Sequence, residues 1–303
     1  MRIPNFTVLY PHPYNKIGDG PEGPEVARVA DALEKLIVDR TITSIVIPEK
    51  GQKNHKSLLN VELPGTIFKV TSKGKKVLLY LKSKTYPEVI IANSLMMSGY
   101  WCLEEDKYTK ATFHFSEGDP IHFCSVRSFS RSHALITEKD KVLFFKKVGP
   151  DLLRESISPE LWLERMRTLT VKREGSKPFL ICDALIEQKI FSGVGNYIRA
   201  DAMYRAAIKP DRPVNDLSDD ELERLRIATC NVIQESYKTE GYTIRDFKHV
   251  DGHPGCYVPD IYGRETDDLG NIVLRERFET SKHKNRTVWW VPAVQDPISD
   301  SIQ

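Results

Sequence analysis

The sequence predicts an α+β protein in two halves, on three observations. From about residue 42 to 147 the chain is a series of short β-branched and aromatic segments divided by turn residues. From about 158 to 240 its apolar residues recur at helical spacing. A last pair of strand-like segments then closes the chain. The 303 residues are enough for two packed cores. Composition is that of a globular chain, 40% hydrophobic and 28% charged, with a net charge of +2. No apolar run approaches the roughly 18 residues of a membrane span.

Each element has its own signal. "EVARVADALEKLI" (25–37) puts Val26, Val29, Ala30, Leu33, Leu36 and Ile37 on one helical face. Pro24 suits the first turn, where its missing N–H costs no hydrogen bond. Glu22 and Glu25 place negative charge at the positive end of the helix dipole. Strands are expected over "TITSIVI", "TIFKVTS", "KVLLYLK", "EVIIANS", "ATFHFSE", "PIHFCSV" and "KVLFFKK", the last ending before the Gly149-Pro150 break. Ser158 caps a helix opened by Pro159, and Ser218 with Glu221 forms a capping box. Between them "ALIEQKIFSGVGNYIRADAMYRAAI" reads as helix, Gly-rich turn, helix. "NIVLRERFET" and "RTVWWVPAV" form a hairpin, and the tail after 295 is expected to be disordered.

Five cysteines (102, 124, 182, 230 and 256) stand apart, with no C-x-x-C pair. That suits a reducing, intracellular compartment and offers no cysteine zinc site. The first twenty residues lack the apolar core of a secretory signal.

Four basic clusters sit beside strand-like residues: "SKGKK" (72–76), "SVRSFSR" (125–131), "FKK" (145–147) and "SKHKNRT" (281–287). Taken singly, each is a solvated turn; together they outline a phosphate-facing surface. "FSGVGNYIRAD" (191–201) offers backbone N–H groups ahead of a helix N-terminus, a nest for an anion such as phosphate, with Asn196 as a further donor. Met96 and Met97 before a glycine turn read either as core filler or as a wedge for a base stack. Arg127 and Phe129, two apart, read as a strand end or as residues that fill an opened duplex.

In this order the motifs resemble one family: PEGPE before a helix, G-K in a hairpin, the Met and Arg/Phe loops, V-G-P-D, G-V-G-N-Y, and a basic hairpin ending in R-T-x-W-W. The chain resembles the Fpg/Nei bifunctional DNA glycosylases, and the likeness runs from about Pro21 to Gln295. The resemblance implies a catalytic β-sandwich domain with a leading helix over 21–150, after an N-terminal extension of 1–20. It implies a helix-two-turn-helix domain over 151–249, a loop and antiparallel hairpin over 250–295, and a tail over 296–303. It implies a monomer acting on double-stranded DNA with oxidised bases or abasic sites, the damaged base being flipped from the stack. Residue by residue, it gives Pro21 as the amine nucleophile and Glu22 as the acid/base carboxylate. Glu25 is a second carboxylate and Lys75 the hairpin lysine. Asn196 binds phosphate and Arg286 clasps it. Met97, Arg127 and Phe129 fill the gap left by the base.

Three departures follow. The hairpin lacks the family's four zinc cysteines, with Val291 and Val294 in the final pair of places, so the chain resembles the zincless-finger branch and is expected to need no cofactor. Pro21 follows Gly20, so its nitrogen is an amide and not a nucleophile. The sequence therefore supports a glycosylase/AP lyase once Pro21 is freed, and alternatively an impaired damaged-DNA-binding protein on the same fold. PEGPE is the endonuclease VIII form of the start, favouring oxidised pyrimidines, whereas 242–265 resembles the purine-oriented Fpg loop.

Overall fold

The computed structural model describes residues 20–169, 178–243, 250, 255–278 and 286–296. The first nineteen residues, most of the loop 244–254, the basic turn 281–285 and the tail beyond 296 lie outside these.

Helix α1 (Gly23–Ile37) opens the described chain, with Pro24 in its first turn. It buries Val26, Val29, Ala30, Leu33 and Ile37 in one core with Val70, Val77 and Leu79 of the sheet. Each such fully buried side chain contributes about 1.5–3 kcal/mol. Leu36, placed on the same face by spacing, is 41% exposed.

Eight strands follow: β1 (Thr41–Val46), β2 (Gly65–Lys73), β3 (Lys76–Lys82), β4 (Val89–Ser94), β5 (Gly99–Cys102), β6 (Thr109–Phe115), β7 (Ile121–Ser125) and β8 (Arg131–Leu135). They form one antiparallel sheet in the order β5-β7-β6-β1-β2-β3-β4-β8. Helix α2 (Glu49–His55) and a 3₁₀ turn (Lys56–Asn60) shut the sheet on itself. Buried His55 holds Ser132 Oγ of β8 at 2.8 Å, and its ring lies 5.4 Å from Phe123 of β7. Strands from opposite ends of the order thus meet at one residue, which makes the sheet sandwich-like.

Two expectations are corrected. "KVLFFKK" is not a strand: helix α3 (Glu138–Phe145) takes most of it. Thr137 Oγ1 accepts the Asp140 N–H and the Asp140 carboxylate accepts the Thr137 N–H, so a capping box overrides the β-propensity of the run. Phe144 and Phe145 pack on a small cluster of Leu78, Ile90, Ala92 and Leu135, on the sheet face turned away from α1. The second correction is that β5, β8 and α2 exist. Their sequences are too short or too polar to show a period.

The second half is helical: α4 (Pro159–Arg167), α5 (Ile181–Ala184), α6 (Asn196–Arg205) and α7 (Asp219–Lys238). Ser158 and Ser218 cap α4 and α7. A hairpin of β9 (Leu274–Glu276) and β10 (Val288–Trp290) ends in α8 (Pro292–Gln295). The halves share one apolar core, and Tyr237 of α7 donates to Asp31 of α1 at 2.5 Å.

Candidate active site

A cavity of about 1060 Å³ lies between the halves. Gly20, Pro21 and Glu22 line it from the start of α1, Lys75 from the β2–β3 turn, Met96 and Met97 from the β4–β5 loop, Asn196 from α6, and Arg286 from just before β10. The structure thus brings together six of the nine sequence-predicted residues.

Local chemistry fixes each position. The β2–β3 turn needs Gly74, whose φ is +55°, and a β-carbon there would stand 2.5 Å from Ser192 Cβ. Buried Asp151 accepts the Gly74 N–H at 2.6 Å and also the N–H groups of Leu153 and Arg154. The aspartate of V-G-P-D therefore pins the turn that carries Lys75. Burial pushes its carboxyl up from the ordinary value while these backbone bonds pull it down.

The Gly-rich turn does something other than wait for phosphate. Glu22 Oε2 accepts the Gly195 N–H at 2.5 Å and Oε1 accepts the Tyr197 N–H at 3.1 Å. The anion on these two N–H groups is the protein's own carboxylate, which caps α6 from another helix. Gly23 donates to the Gly193 carbonyl at 2.8 Å and fixes the approach. Gly195 is required by proximity. A β-carbon there would lie 2.3 Å from the Glu22 carboxyl and 2.4 Å from Lys75 Nζ. Both charged groups share the space above that glycine.

Glu25 is not part of the cavity wall. It is fully buried and accepts the Glu22 N–H at 2.8 Å, the Tyr197 hydroxyl at 2.9 Å and the Tyr242 N–H at 2.7 Å. Burial raises its pKa, and these hydrogen bonds oppose the rise. Glu25, expected as a second catalytic carboxylate, thus lies behind the cavity wall, where it holds the Glu22 N–H and the chain at Tyr242.

Arg127 and Phe129 do not line the cavity. They stand exposed on the β7–β8 loop, which is tied to the Met loop by Val126 N–H to the Ser98 carbonyl and Arg127 N–H to Ser98 Oγ at 2.8 Å. The two loops are thus one unit at the cavity rim. Sequence reading missed Arg199, which is fully buried on α6. Its guanidinium donates to the carbonyls of Cys182 at 3.1 Å and Thr287 at 3.0 Å, anchoring the residue next to Arg286. It also missed Lys76, His133, Lys147 and Arg275 on the cavity wall. The two lysines fell inside basic clusters that single out no residue.

Zinc has no fitting donors here. Residues 255–296 contain Cys256 and His283 as their only thiol and imidazole. Among the described residues no three His, Cys, Asp or Glu side chains converge as a metal site. Instead Trp289 packs on Tyr262 with ring centres 4.5 Å apart, Trp290 donates to Glu276, and Gln295 joins Val291 to the Ile208 carbonyl.

A carboxylate and a lysine thus stand above a glycine turn, beside a two-loop rim and between a sandwich-like sheet and paired helices. The chain belongs to the Fpg/Nei family. Residues 20–132 match the formamidopyrimidine-DNA glycosylase N-terminal domain and residues 148–248 its H2TH domain. The chain is 28% identical over 261 residues to the formamidopyrimidine-DNA glycosylase of Bacillus cereus, covering 81% of this chain and 88% of that one. It is also 28% identical over 268 residues to that of Desulfitobacterium hafniense, covering 85% and 95%. The crystal structure of the MutM (Fpg) protein from Thermus thermophilus superposes with a TM-score of 0.77 at 25% identity, over 91% of this chain and 98% of that one. Lactococcus lactis Fpg in complex with abasic-site DNA gives 0.75 at 24% identity, over 91% and 99%. Among the described residues no helix is long and apolar enough to cross a membrane.

Proposed function

We propose that the chain is a bifunctional glycosylase/AP lyase for oxidised bases, pyrimidines above all, working through a Schiff base on Pro21 once Gly20 is removed. The single observation that supports it most is the meeting of Pro21, Glu22, Lys75, Asn196 and Arg286 around one cavity.

A freed Pro21 is a secondary amine, and an α-amino group titrates near pH ~7.7–8, so a neutral fraction exists at cellular pH. Its nitrogen attacks the sugar C1′ of a flipped nucleotide as the glycosidic bond breaks, and the base leaves with a proton. The amine loses its own proton and the sugar ring opens to an iminium. Loss of a C2′ proton then expels the 3′ phosphate. Glu22, beside Pro21 and held by two N–H groups, carries the protons. Lys75, Asn196 and Arg286 hold the flanking phosphates, and Met97, Arg127 and Phe129 fill the vacated stack. Domain limits at about 150 and 250 go with this reading.

Gly20 limits it. In the chain as it stands, the Pro21 nitrogen is an amide, and Gly20 sits so close to the Met loop that a β-carbon would lie 2.1 Å from the Met96 carbonyl oxygen. The test compares the full chain with a chain beginning at Pro21, each treated with borohydride on duplex carrying an oxidised pyrimidine. The shortened chain is expected to give a covalent adduct and a cut strand, and the full chain neither. No adduct from the shortened chain would leave a DNA-binding protein without lyase chemistry.

A further inference from the structure

The cavity has a second basic wall, separate from Lys75, Asn196 and Arg286. Lys76 of β3 donates to Ser94 Oγ of β4 at 2.5 Å. Ser94 pairs in register with Arg131 of β8, and His133 lies two residues on, on the same face. This is the face that carries Leu78, Ile90, Ala92 and Leu135 under the phenylalanines of α3. Past α3 comes Lys147, on the same cavity wall as Lys76 and His133. Four basic side chains thus run along the open end of an otherwise apolar face.

Among the described residues, none of Lys76, Arg131, His133 and Lys147 has an ion-pair partner. The one nearby carboxylate in the described cavity wall, Asp140, is turned to the N–H and hydroxyl of Thr137 and makes no ion pair with the four. Burial lowers the pKa of Lys76, and Lys75 and Arg131 lower it further. His133 is lowered by burial and then by Lys76, Arg131 and Lys147. Like charges held this way are relieved when an anion binds among them.

We infer that Lys76, Arg131, His133 and Lys147 form a further binding subsite for a backbone phosphodiester of the DNA. The inference rests on the reading of the cavity as the DNA site. A strand rather than a small anion is favoured because the basic groups form a row across three strands, with Ser94 as a neutral donor inside it. This row extends the footprint to the β8–α3 side, away from the hairpin. It also gives Lys76, the last lysine of "SKGKK", a role apart from that of Lys75.

The test is equilibrium binding of the full chain to a lesion-bearing duplex across a salt series, so it does not depend on strand cutting. Each phosphate contact contributes about 0.9 to the slope of log K against log salt on B-DNA. The Lys76→Gln, Arg131→Gln double variant is expected to bind about tenfold more weakly at low salt, with a slope smaller by about one. Lys76→Arg with Arg131→Lys should restore the slope, which separates lost charge from lost fold. A duplex with one neutral methylphosphonate at the contacted position should weaken the parent chain and leave the double variant unaffected. An unchanged slope in the double variant, or no methylphosphonate position with this behaviour, overturns the proposal. Inorganic phosphate alone is not expected to saturate the His133 ring signal by NMR. Saturation with the DNA slope unchanged would overturn it in favour of a small-anion site. A parent chain that binds no DNA at all would sink the glycosylase reading as well.

Discussion

Glu22 Oε2 accepts the Gly195 N–H at 2.5 Å across 173 positions of sequence. One carboxylate begins the first helix, caps α6 and faces the cavity with Pro21. The placing of Glu22 in the cavity and the seating of the two halves are therefore set by the same contact.

Glu22→Gln tests the chemistry of that contact. An amide cannot carry the proton, and in either orientation its N–H₂ faces one of the two backbone donors, the Gly195 or the Tyr197 N–H. In the chain beginning at Pro21, single-turnover base release is expected to fall by about 10²–10⁴-fold. Duplex binding should change little. A variant that keeps parental base release would remove Glu22 from the acid/base role.

Gly195→Ala tests the shared space. The added carbon would sit 2.3 Å from the Glu22 carboxyl and 2.4 Å from Lys75 Nζ, so one of them must move. Displacement on the scale of 1 Å costs on the order of 10²-fold in rate. Gly270→Ala is the control: it has a φ of +86° and nothing within 4 Å. It should lose about 1 kcal/mol of stability and no base release. Denaturant melts beside single-turnover assays distinguish the two outcomes.

Met97→Ala and Phe129→Ala test the rim. Phe129 is 54% exposed, so truncation removes little core. Phe129→Ala is expected to weaken binding to an abasic-site duplex by about 1–3 kcal/mol, the worth of one base stacked on a ring, while Tm holds; Met97→Ala is expected to weaken it in the same direction. Equal loss on undamaged duplex would argue against gap filling.

Asp201 gives a pH signature. It is fully buried on α6 and accepts from the Tyr257 hydroxyl and from the N–H groups of Asp260, Ile261 and Tyr262. Burial, then the Asp260 charge, push it up from 3.8 to about 7. The folded state therefore holds this proton more tightly than the unfolded chain does. Its contribution to stability is full below about pH 4 and is lost as pH rises toward 7. Asp201→Asn should flatten the dependence of Tm on pH in that window, seen by calorimetry at a series of pH values. An unchanged slope would place the charge elsewhere.

Much of this was legible in the sequence, and the residues show why. α1 and α7 carry both an apolar period and a cap, so two independent signals agree. The cavity set followed from motif order, and six of its nine members meet. The place of Glu25 was not legible, because a resemblance names a carboxylate without saying whether it faces a cavity or three buried donors. The nest was half read: its N–H groups do hold an anion, but the anion comes from 173 residues away. α3 was read as a strand because "KVLFFKK" has β-propensity, while the Thr137–Asp140 cap that decides the matter lies just before it. The Lys76–Arg131 row was invisible because β8 shows no pattern until it pairs with β4.

The hairpin carries a last consequence. It is tied by Trp289 on Tyr262, Trp290 on Glu276 and Gln295 on the Ile208 carbonyl, and 271–296 contains no cysteine. Peroxide strikes thiolates first, and chelators unfold fingers that are held by metal. This hairpin offers neither target, so excess EDTA is expected to leave duplex affinity and Tm unchanged. A loss with EDTA that added zinc restores would contradict it. The hairpin's hold on the rest of the chain thus draws on ring packing and side-chain hydrogen bonds, and on neither metal supply nor thiol redox state.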